Sequence, residues 1–313
     1  MNDLTFLVVC LTLLVGCASQ EPDPAAGSAS RSTDAVQDDA AWAAELAQHR
    51  AGIHDKFTSY GPSPIAATQR LTAEPTSRLY LVRQDRSFAF DDVADPTAEL
   101  SLTKGEAGWT WEKLGEDVSG KTGGEPSASG SVLSGDVSFD IAGIHLGCFL
   151  GEERLDCVVY DPERPEKKAF EKLVFYPPER GFAVPATLVR FPEPDEVEML
   201  TSLGLKSSFL RYARLDFELD GEPYQLTAFK STFAGEWSNT LFVPFRDLTA
   251  GKETYGAGRY LDLTEPEGES LTLDFNRAYN PLCNYSPAFN CPIPPPENRL
   301  EVAVRAGERT YGE

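Results

Sequence analysis

From Leu79 onward, apolar and polar residues alternate with a period of two, and this pattern limits the fold more than any other feature. Segments such as RLYLV, RSFAF, AELSL, GWTWEKL, GDVSFDIAG and GIHLGCFL alternate in this way and are separated by Asp, Gly and Pro turns. Several short strands at close spacing indicate a small β-sandwich or barrel. The stretch from Lys121 to Ser134, which is rich in Gly and Ser, is expected to be a loop.

The clearest hairpin turn is Asp220-Gly221, a two-residue signal of type I′. It places Phe217 opposite Tyr224 and Ala213 opposite Ala228. The segment 161–200 before it, which includes KKAFEKLVFYPPERGFAVPATLVRFPEP, contains seven prolines. Proline is excluded from central strands, so we expect edge structure there, with short strands at 188–191 and around residue 197.

A helix is predicted ahead of the strands. Its apolar stripe follows a spacing of 4, 3, 4 and 4 residues: Trp42, Leu46, His49, Ile53 and Phe57. Asp38 or Asp39 is available as the N-cap, and Gly61-Pro62 ends the element. His49 and His54 are five residues apart and do not share a helix face, so they do not indicate a metal site.

The first seventeen residues predict export. Leu4 to Val15 form an apolar run that is too short to span a bilayer and suits a signal peptide. The following Leu14-Val15-Gly16-Cys17 resembles the bacterial lipobox, although Met1-Asn2-Asp3 lacks the usual Lys or Arg. We therefore expect a signal peptide over 1–16 and acylation of Cys17, for example by palmitate, which would anchor the protein to a membrane of the cell envelope. Residues 17–40 read as a flexible tether.

The remaining cysteines form two close pairs in an oxidising compartment. In the hairpin 146–160, a loop at 151–154 places Cys148 opposite Cys157, which is close enough for a disulfide; a redox-active or reduced pair is the alternative. Cys283 and Cys291 enclose a Pro-rich loop, where a disulfide is favoured over a thiolate metal site.

Composition excludes some classes of function. The formal net charge of −21 argues against nucleic acid as a partner, and 41% hydrophobic residues support a real core. The sequence contains no G-x-S-x-G elbow, no H-E-x-x-H, no Walker lysine loop and no dinucleotide-binding glycine motif. We expect no cofactor and no metal.

The stretch 241–300 is the densest in polar residues that carry chemistry. Leu241, Val243 and Phe245 are expected to face the core, and a last strand is expected at 300–304. Arg259 shares its strand face with apolar residues, and a buried Arg needs a partner, for which Asp247, Asp274 and Glu253 are the candidates. The candidate site combines the ends of these strands and turns: Arg246, Asp247, Thr249, Tyr255, Arg259, Asn276 and Asn280.

Two Arg with amide and hydroxyl groups suit a carboxylate, a phosphate or a sugar. The principal hypothesis is therefore an envelope module that binds a small ligand. One alternative is an envelope hydrolase that uses Asp247 or Asp274 as its acid and base. The other is a scaffold in which the Arg–Asp cluster is purely structural.

Three segments resemble the domain-of-unknown-function family numbered 1684: FRDLTAGKETYGAGRYLDL, LDFNRAYNPLCNYSPAFNCPIPPPENRL and VAVRAGE. The similarity extends back through FYPPERGFAVPATLVRF to about residue 170. The family has no established activity, so the resemblance implies a fold and a site without a reaction. It also implies a forkhead-associated-like sandwich over 79–160, although the W-L-x-L-x-G-L opening of that sandwich is missing. The matching site positions are Arg246, Asp247, Thr249, Gly251, Thr254, Tyr255, Gly256, Gly258, Arg259, Asp274, Asn276, Tyr279, Asn280, Cys283, Cys291 and Asn298.

The chain is therefore predicted to be mainly β. After the signal peptide and tether come a helix over 41–65, a small β-sandwich over 66–165 and an antiparallel β domain over 166–313.

Overall fold

The computed structural model describes residues 24–58, 62–73, 78–105, 108–122, 125–127, 129–132, 136–150, 155–232 and 239–311. The predicted signal peptide and the lipidation site Cys17 lie outside these residues. Among the described helices, none has the length and apolar content needed to cross a bilayer. Residues 44–313 form one compact unit.

The first helix, α1, spans Pro24–Thr58. It begins within the segment predicted to be a tether, well before the predicted N-cap at Asp38 or Asp39, and the many alanines in this segment favour a helix. The predicted stripe is confirmed: Leu46 and Phe57 are buried, and His49 and Ile53 are half-buried. Its last two members, Ile53 and Phe57, pack in one cluster with Ile65, Leu173 and Tyr285, so this end of the helix lies against the C-terminal half of the chain.

The described residues are mainly β, as predicted. The strands are β1 Ala67–Ala73, β2 Arg78–Gln84, β3 Ser87–Asp91, β4 Ala98–Gly105, β5 Gly108–Lys113, β6 Val118–Thr122, β7 Glu125–Ser127, β8 Ser129–Val132, β9 Asp136–Ile141, β10 Ile144–Leu150, β11 Leu155–Tyr160, β12 Ala183–Leu200, β13 Lys206–Leu219, β14 Glu222–Ser231, β15 Thr240–Phe245, β16 Arg259–Thr264 and β17 Ser270–Asp274. The other helical segments are α2 Pro165–Ala169 and 3-10 turns at Pro64–Ala66, Arg180–Phe182, Phe275–Arg277, Leu282–Asn284 and Pro296–Asn298.

Two antiparallel sheets form the N-terminal sandwich. Their strand orders are β1-β11-β10-β9-β6-β7 and β3-β2-β4-β5-β8, and they enclose one apolar core that includes Trp111 and Phe139. The prediction of a loop at 121–134 is wrong, because two edge strands lie in this segment. β7 pairs with β6, and β8 pairs with β5. The forkhead-associated type of sandwich stays a prediction.

The predicted cross-strand disulfide is present in this sandwich. Cys148 pairs directly with Cys157 in the register of β10 and β11, and the two sulfurs are bonded. The register of this hairpin therefore places the two cysteines directly opposite each other, as predicted.

The third sheet has the order β16-β15-β14-β13-β12-β17 and carries the C-terminal core. The predicted hairpin register is confirmed, with Phe217 opposite Tyr224 and Ala213 opposite Ala228. Asp220 and Gly221 have φ values of 54° and 80°, which is the conformation that a type I′ turn requires at both central positions.

The two short strands predicted in the Pro-rich segment are parts of one continuous strand, β12. β13 pairs with it over residues 186–200, whereas β17 pairs only with residues 183–187, so the predicted positions at 188–191 and around residue 197 have a described strand partner on one side, as the edge prediction required. The strand tolerates Pro192 and Pro194 because they lie where its register shifts, between Arg190 and Asp195. A missing backbone N–H breaks no ladder bond at such an irregularity.

The expected last strand at 300–304 is also not formed. The chain there runs against the sheet in an irregular path, with one parallel bridge from Arg246 to Arg299. Asn298 takes over the pairing: its Nδ2 donates to the carbonyls of Thr227 and Pro244 at 2.8 and 2.7 Å, and its Oδ1 accepts from the Thr227 N–H at 2.7 Å. One buried amide therefore satisfies backbone groups that a strand would otherwise bond.

Candidate functional site

The two arginines of the predicted site lie on opposite sides of the sheet edge. Arg246 is exposed, whereas the side chain of Arg259 is wholly buried in the C-terminal core. Phe245 is opposite Arg259 in the pairing of β15 and β16, and Arg246 follows it on the other face. No shared volume is therefore available to a ligand that contacts both.

Protein groups surround the guanidinium of Arg259. Its Nη2 donates to Asp247 Oδ1 at 3.3 Å and to the Val304 carbonyl at 2.8 Å, and its Nη1 donates to the Ala306 carbonyl. Asp247 also accepts from the Val304 N–H at 2.7 Å. This network ties β16 to the irregular C-terminal segment. Burial lowers the pKa of Arg259, and the Asp247 charge opposes that shift.

Thr249 belongs to the same network, because its Oγ1 donates to Asp247 Oδ2 at 2.8 Å. Asn276 lies elsewhere: its backbone N–H and its Nδ2 both donate to Asp274 Oδ1, at 3.0 and 2.9 Å. Asp274 thus caps the 3-10 turn that follows β17. The predicted residues therefore fall into separate structural clusters, and the carboxylates of both Asp247 and Asp274 are engaged in them.

Tyr255 lies beside the second cysteine pair, where its hydroxyl donates to Cys283 Sγ at 3.6 Å. Cys283 and Cys291 are free thiols, so the predicted disulfide is not formed. The two are adjacent all the same, since the Cys283 N–H donates to Cys291 Sγ at 3.2 Å. A hydrogen bond from Cys291 is the main cause that lowers the pKa of Cys283 to about 6. The two sulfurs are linked by this hydrogen bond in place of a covalent bond.

A pocket of about 790 Å³ lies between α1 and the outer face of the third sheet. The sheet supplies an aromatic row: Phe209 stacks on Phe242 at 5.5 Å, and Tyr260 meets Phe242 edge-on at 4.8 Å and Tyr279 edge-on at 5.8 Å. The full lining is His49, Ile53, Lys56, Phe57, Pro62, Pro64, Phe209, Phe242, Tyr260, Asp262, Tyr279, Asn280, Pro281, Leu282, Tyr285, Asn290, Cys291, Pro292 and Glu308. A concave, mostly apolar volume with a few polar groups is the usual form of a small-molecule site.

Two carboxyl groups line this pocket. Glu308 is 1% exposed, accepts from the Asn280 N–H at 2.9 Å and from the Tyr285 hydroxyl, and burial raises its pKa to about 7. Asp262 accepts from the Tyr279 hydroxyl at 2.7 Å. Asp262 is exposed to solvent at the pocket surface. The concave wall around it nevertheless excludes part of its hydration, and this desolvation raises the pKa of its carboxyl group.

Among the described residues, no group of three or more His, Cys, Asp or Glu side chains is placed to hold a metal ion.

Residues 168–309 match the family described as Protein of unknown function (DUF1684). The match begins close to the residue where the sequence resemblance begins. The chain belongs to this family. An uncharacterized protein from gene locus rrnAC0354 of Haloarcula marismortui, whose structure was solved by NMR in solution, is 45% identical in sequence to this chain. That alignment covers 48% of this chain and 83% of the other, with a TM-score of 0.40. No curated protein matches the chain.

Of the seven predicted site residues, Asn280 is the one that lines the pocket of this DUF1684 protein. Sequence reasoning missed the aromatic row and both pocket carboxyls. A signal was present: Tyr260 and Asp262 alternate with Arg259 and Leu261 and so lie on the outward face of β16. Large aromatic residues on an outward face are a better mark of a ligand site than an Arg on the inward face.

Proposed function

We propose that this protein is a binding module that takes up a small organic molecule in the pocket between α1 and the third sheet. The observation that carries the proposal is the aromatic row on the outer sheet face, which α1 covers incompletely and leaves as a volume of about 790 Å³. The described part of the chain has other concave regions, one of about 820 Å³ beside Phe217 and Tyr224, but four charged residues stand in that lining: Asp216, Glu218, Arg299 and Glu301.

The position of the helix supports a lasting pocket. Arg50 on α1 donates to the carbonyls of Tyr176 and Asn276 at 3.0 and 3.2 Å, and its guanidinium lies 4.7 Å from the centre of the Phe175 ring. Arg277 pairs with Glu45 at 2.6 Å. These contacts attach the part of α1 around residues 45–50 to the C-terminal half of the chain. The position of the helix wall of the pocket therefore does not depend on the lining residues alone.

The test measures binding of a neutral fluorescent probe, N-phenylnaphthylamine, to the full chain. Ile53 is half-buried in the helix wall of the pocket, so Ile53→Trp fills the volume, and we expect it to weaken probe binding at least ~10-fold. Val189→Trp is the matched control, because Val189 is a surface position outside the pocket. Equal binding by both variants would place the probe elsewhere and reject the site.

Native mass spectrometry of the protein purified from its host gives a second readout. A small molecule retained by the native chain is expected to be lost in Ile53→Trp. It is expected to persist in Arg246→Gln, since Arg246 does not line the pocket. Loss in Arg246→Gln alone would restore the arginine site predicted from the sequence.

The hydrolase alternative through Asp247 or Asp274 has less support. Both carboxylates accept hydrogen bonds from backbone N–H groups, at 2.7 Å from Val304 and 3.0 Å from Asn276, and neither lines the pocket. The scaffold alternative describes the Arg259 network well but leaves the aromatic pocket without a role.

We also propose that the protein is exported and anchored in the cell envelope through an acylated Cys17. The lipobox-like Leu14-Val15-Gly16-Cys17 and the disulfide between Cys148 and Cys157 support this location. Growth of the host with labelled palmitate is expected to label the native chain but not Cys17→Ala. Equal labelling of the two would reject acylation at this residue.

A further inference from the structure

The pocket contains polar atoms for which the folded chain provides no partner. Among the described residues that line it, Asn280 Oδ1 and His49 Nε2 are buried without a hydrogen bond. Asn280 is 2% exposed, and its orientation is fixed because Nδ2 donates to the Arg309 carbonyl at 2.7 Å. Its Oδ1 is therefore an acceptor without a protein partner on a residue that lines the pocket. A buried acceptor left unpaired is unfavourable, so a ligand that brings a donor to this position is favoured.

His49 offers a second acceptor. Its ring is neutral, because burial and the nearby charges of Arg277 and Arg50 lower its pKa. The ring bonds to the backbone of Arg277, and since Nε2 has no partner, Nδ1–H makes this bond. A neutral imidazole that donates from Nδ1 has a lone pair on Nε2. His49 Nε2 therefore accepts and does not donate.

Glu308 is a third acceptor among the residues that line the pocket. Each of its carboxyl oxygens already accepts one bond, from the Asn280 N–H and the Tyr285 hydroxyl, and each oxygen has a second lone pair. Thus three side chains that line one cavity offer acceptors, from an amide, an imidazole and a carboxyl group.

The rest of the wall also suits positive charge. Tyr260, Tyr279 and Phe242 present ring faces and edges in one row, and aromatic faces attract cations. Asp262 adds a second carboxyl group, and the single cationic side chain of the lining is Lys56. The formal net charge of −21 favours the approach of a cation over that of an anion.

We propose that the ligand of this pocket is a small organic cation, a primary ammonium group on an apolar or aromatic body, with its N–H groups directed to Glu308, Asn280 and His49. Three donors of an ammonium match three acceptors of different chemistry, while the body lies along the aromatic row. This inference rests on the proposed binding function. It replaces the anionic or sugar ligand that the arginine pair suggested from sequence.

The test compares three probes of matched shape: phenethylamine, phenethyl alcohol and phenylacetate. Each is titrated into the full chain and followed by calorimetry. We expect phenethylamine to bind at least ~10-fold more tightly than phenethyl alcohol, because hydrogen bonds to charged groups are the stronger class. Phenylacetate is expected to bind most weakly.

Glu308→Gln keeps the shape of the side chain and removes its charge. It is expected to weaken phenethylamine binding ~10-fold and to leave phenethyl alcohol binding unchanged. Glu301→Gln is the matched control, since the Glu301 side chain is 68% exposed and lies outside the pocket. If Glu308→Gln does not fold, His49→Leu removes one acceptor from a half-buried helix position and is expected to weaken amine binding selectively.

Several results would overturn the inference: equal affinity for amine and alcohol, tighter binding of phenylacetate, or unchanged amine affinity in a folded Glu308→Gln or His49→Leu variant. Failure of all three probes to bind would overturn it as well. The proposed binding function fails separately, when the neutral probe N-phenylnaphthylamine binds Ile53→Trp as tightly as it binds the native chain.

Discussion

The buried pair of Asp247 and Arg259 gives the sharpest test of the fold. The two side chains are 2% and 0% exposed, and Nη2 lies 3.3 Å from Oδ1. With an effective dielectric constant of about 20, two unit charges at this separation attract by roughly 5 kcal/mol. Removal of one partner from a buried pair typically costs about 3–5 kcal/mol, because the remaining charge is left without compensation.

Two variants separate charge from hydrogen bonding. Asp247→Asn keeps an acceptor for Arg259 and is expected to lower the free energy of unfolding by about 3 kcal/mol. Asp247→Ala also leaves the Val304 N–H and the Thr249 hydroxyl without their acceptor, so the loss is expected to approach about 5 kcal/mol. Urea denaturation followed by circular dichroism measures both losses, and an unchanged slope identifies an effect on the folded state.

The matched control is an exposed pair with a shorter distance. Arg299 Nε and Glu301 Oε1 are 2.8 Å apart, but their side chains are 60% and 68% exposed. Glu301→Gln is therefore expected to change stability by less than about 0.5 kcal/mol. The reasoning is refuted if Asp247→Asn costs less than about 1 kcal/mol, or if both substitutions cost the same. A second check is Asp247→Ala with Arg259→Met, which removes both charges and is expected to recover part of the loss.

Three further predictions concern Glu308 and the two cysteine pairs. The pKa of Glu308 rises from 4.5 to about 7 on folding, so its protonated form favours the folded state. The contribution of Glu308 to stability is complete below pH ~4.5 and falls by about 3 kcal/mol up to pH ~7, and the difference in urea denaturation between the native chain and Glu308→Gln should change with pH by this amount. Replacement of Cys148 and Cys157 by Ala together opens a link with a sequence separation of 9 and is expected to cost about 2–3 kcal/mol, against no loss if the bond is absent in the native chain. Cys283, whose pKa is about 6, is expected to react with iodoacetamide at pH 7 before Cys291, and mass spectrometry of the peptides decides the order.

The parts of the fold that could be predicted were those specified locally. The register of β13 against β14 followed from Asp220-Gly221, and the pairing of Cys148 with Cys157 followed from the length of their hairpin loop. In both cases a turn of a few residues determines all pairs that follow. The helix stripe was equally local, because its period is a property of one segment.

The parts that could not be predicted depend on contacts between distant segments. β12 is a single strand despite Pro192 and Pro194, because the bulge that accommodates them exists only in the pairing with β13. Asn298 replaces the expected last strand by bonding to Thr227 and Pro244, which lie far away in sequence. Neither arrangement leaves a periodic signal in its own segment.

The predicted site residues do not come together in one place, for a physical reason that applies to other β proteins. Arg259 was correctly placed on the inward face of its strand, and Asp247 was among its predicted partners. The inward position itself argues against ligand binding, since the cost of burying a guanidinium is offset by protein acceptors such as the Asp247 carboxylate and the Val304 carbonyl. An arginine whose side chain is wholly buried and whose Nη1 and Nη2 donate to protein acceptors is not accessible to a ligand. The outward residues of the same strand, Tyr260 and Asp262, are under no such constraint, and the pocket is built on them.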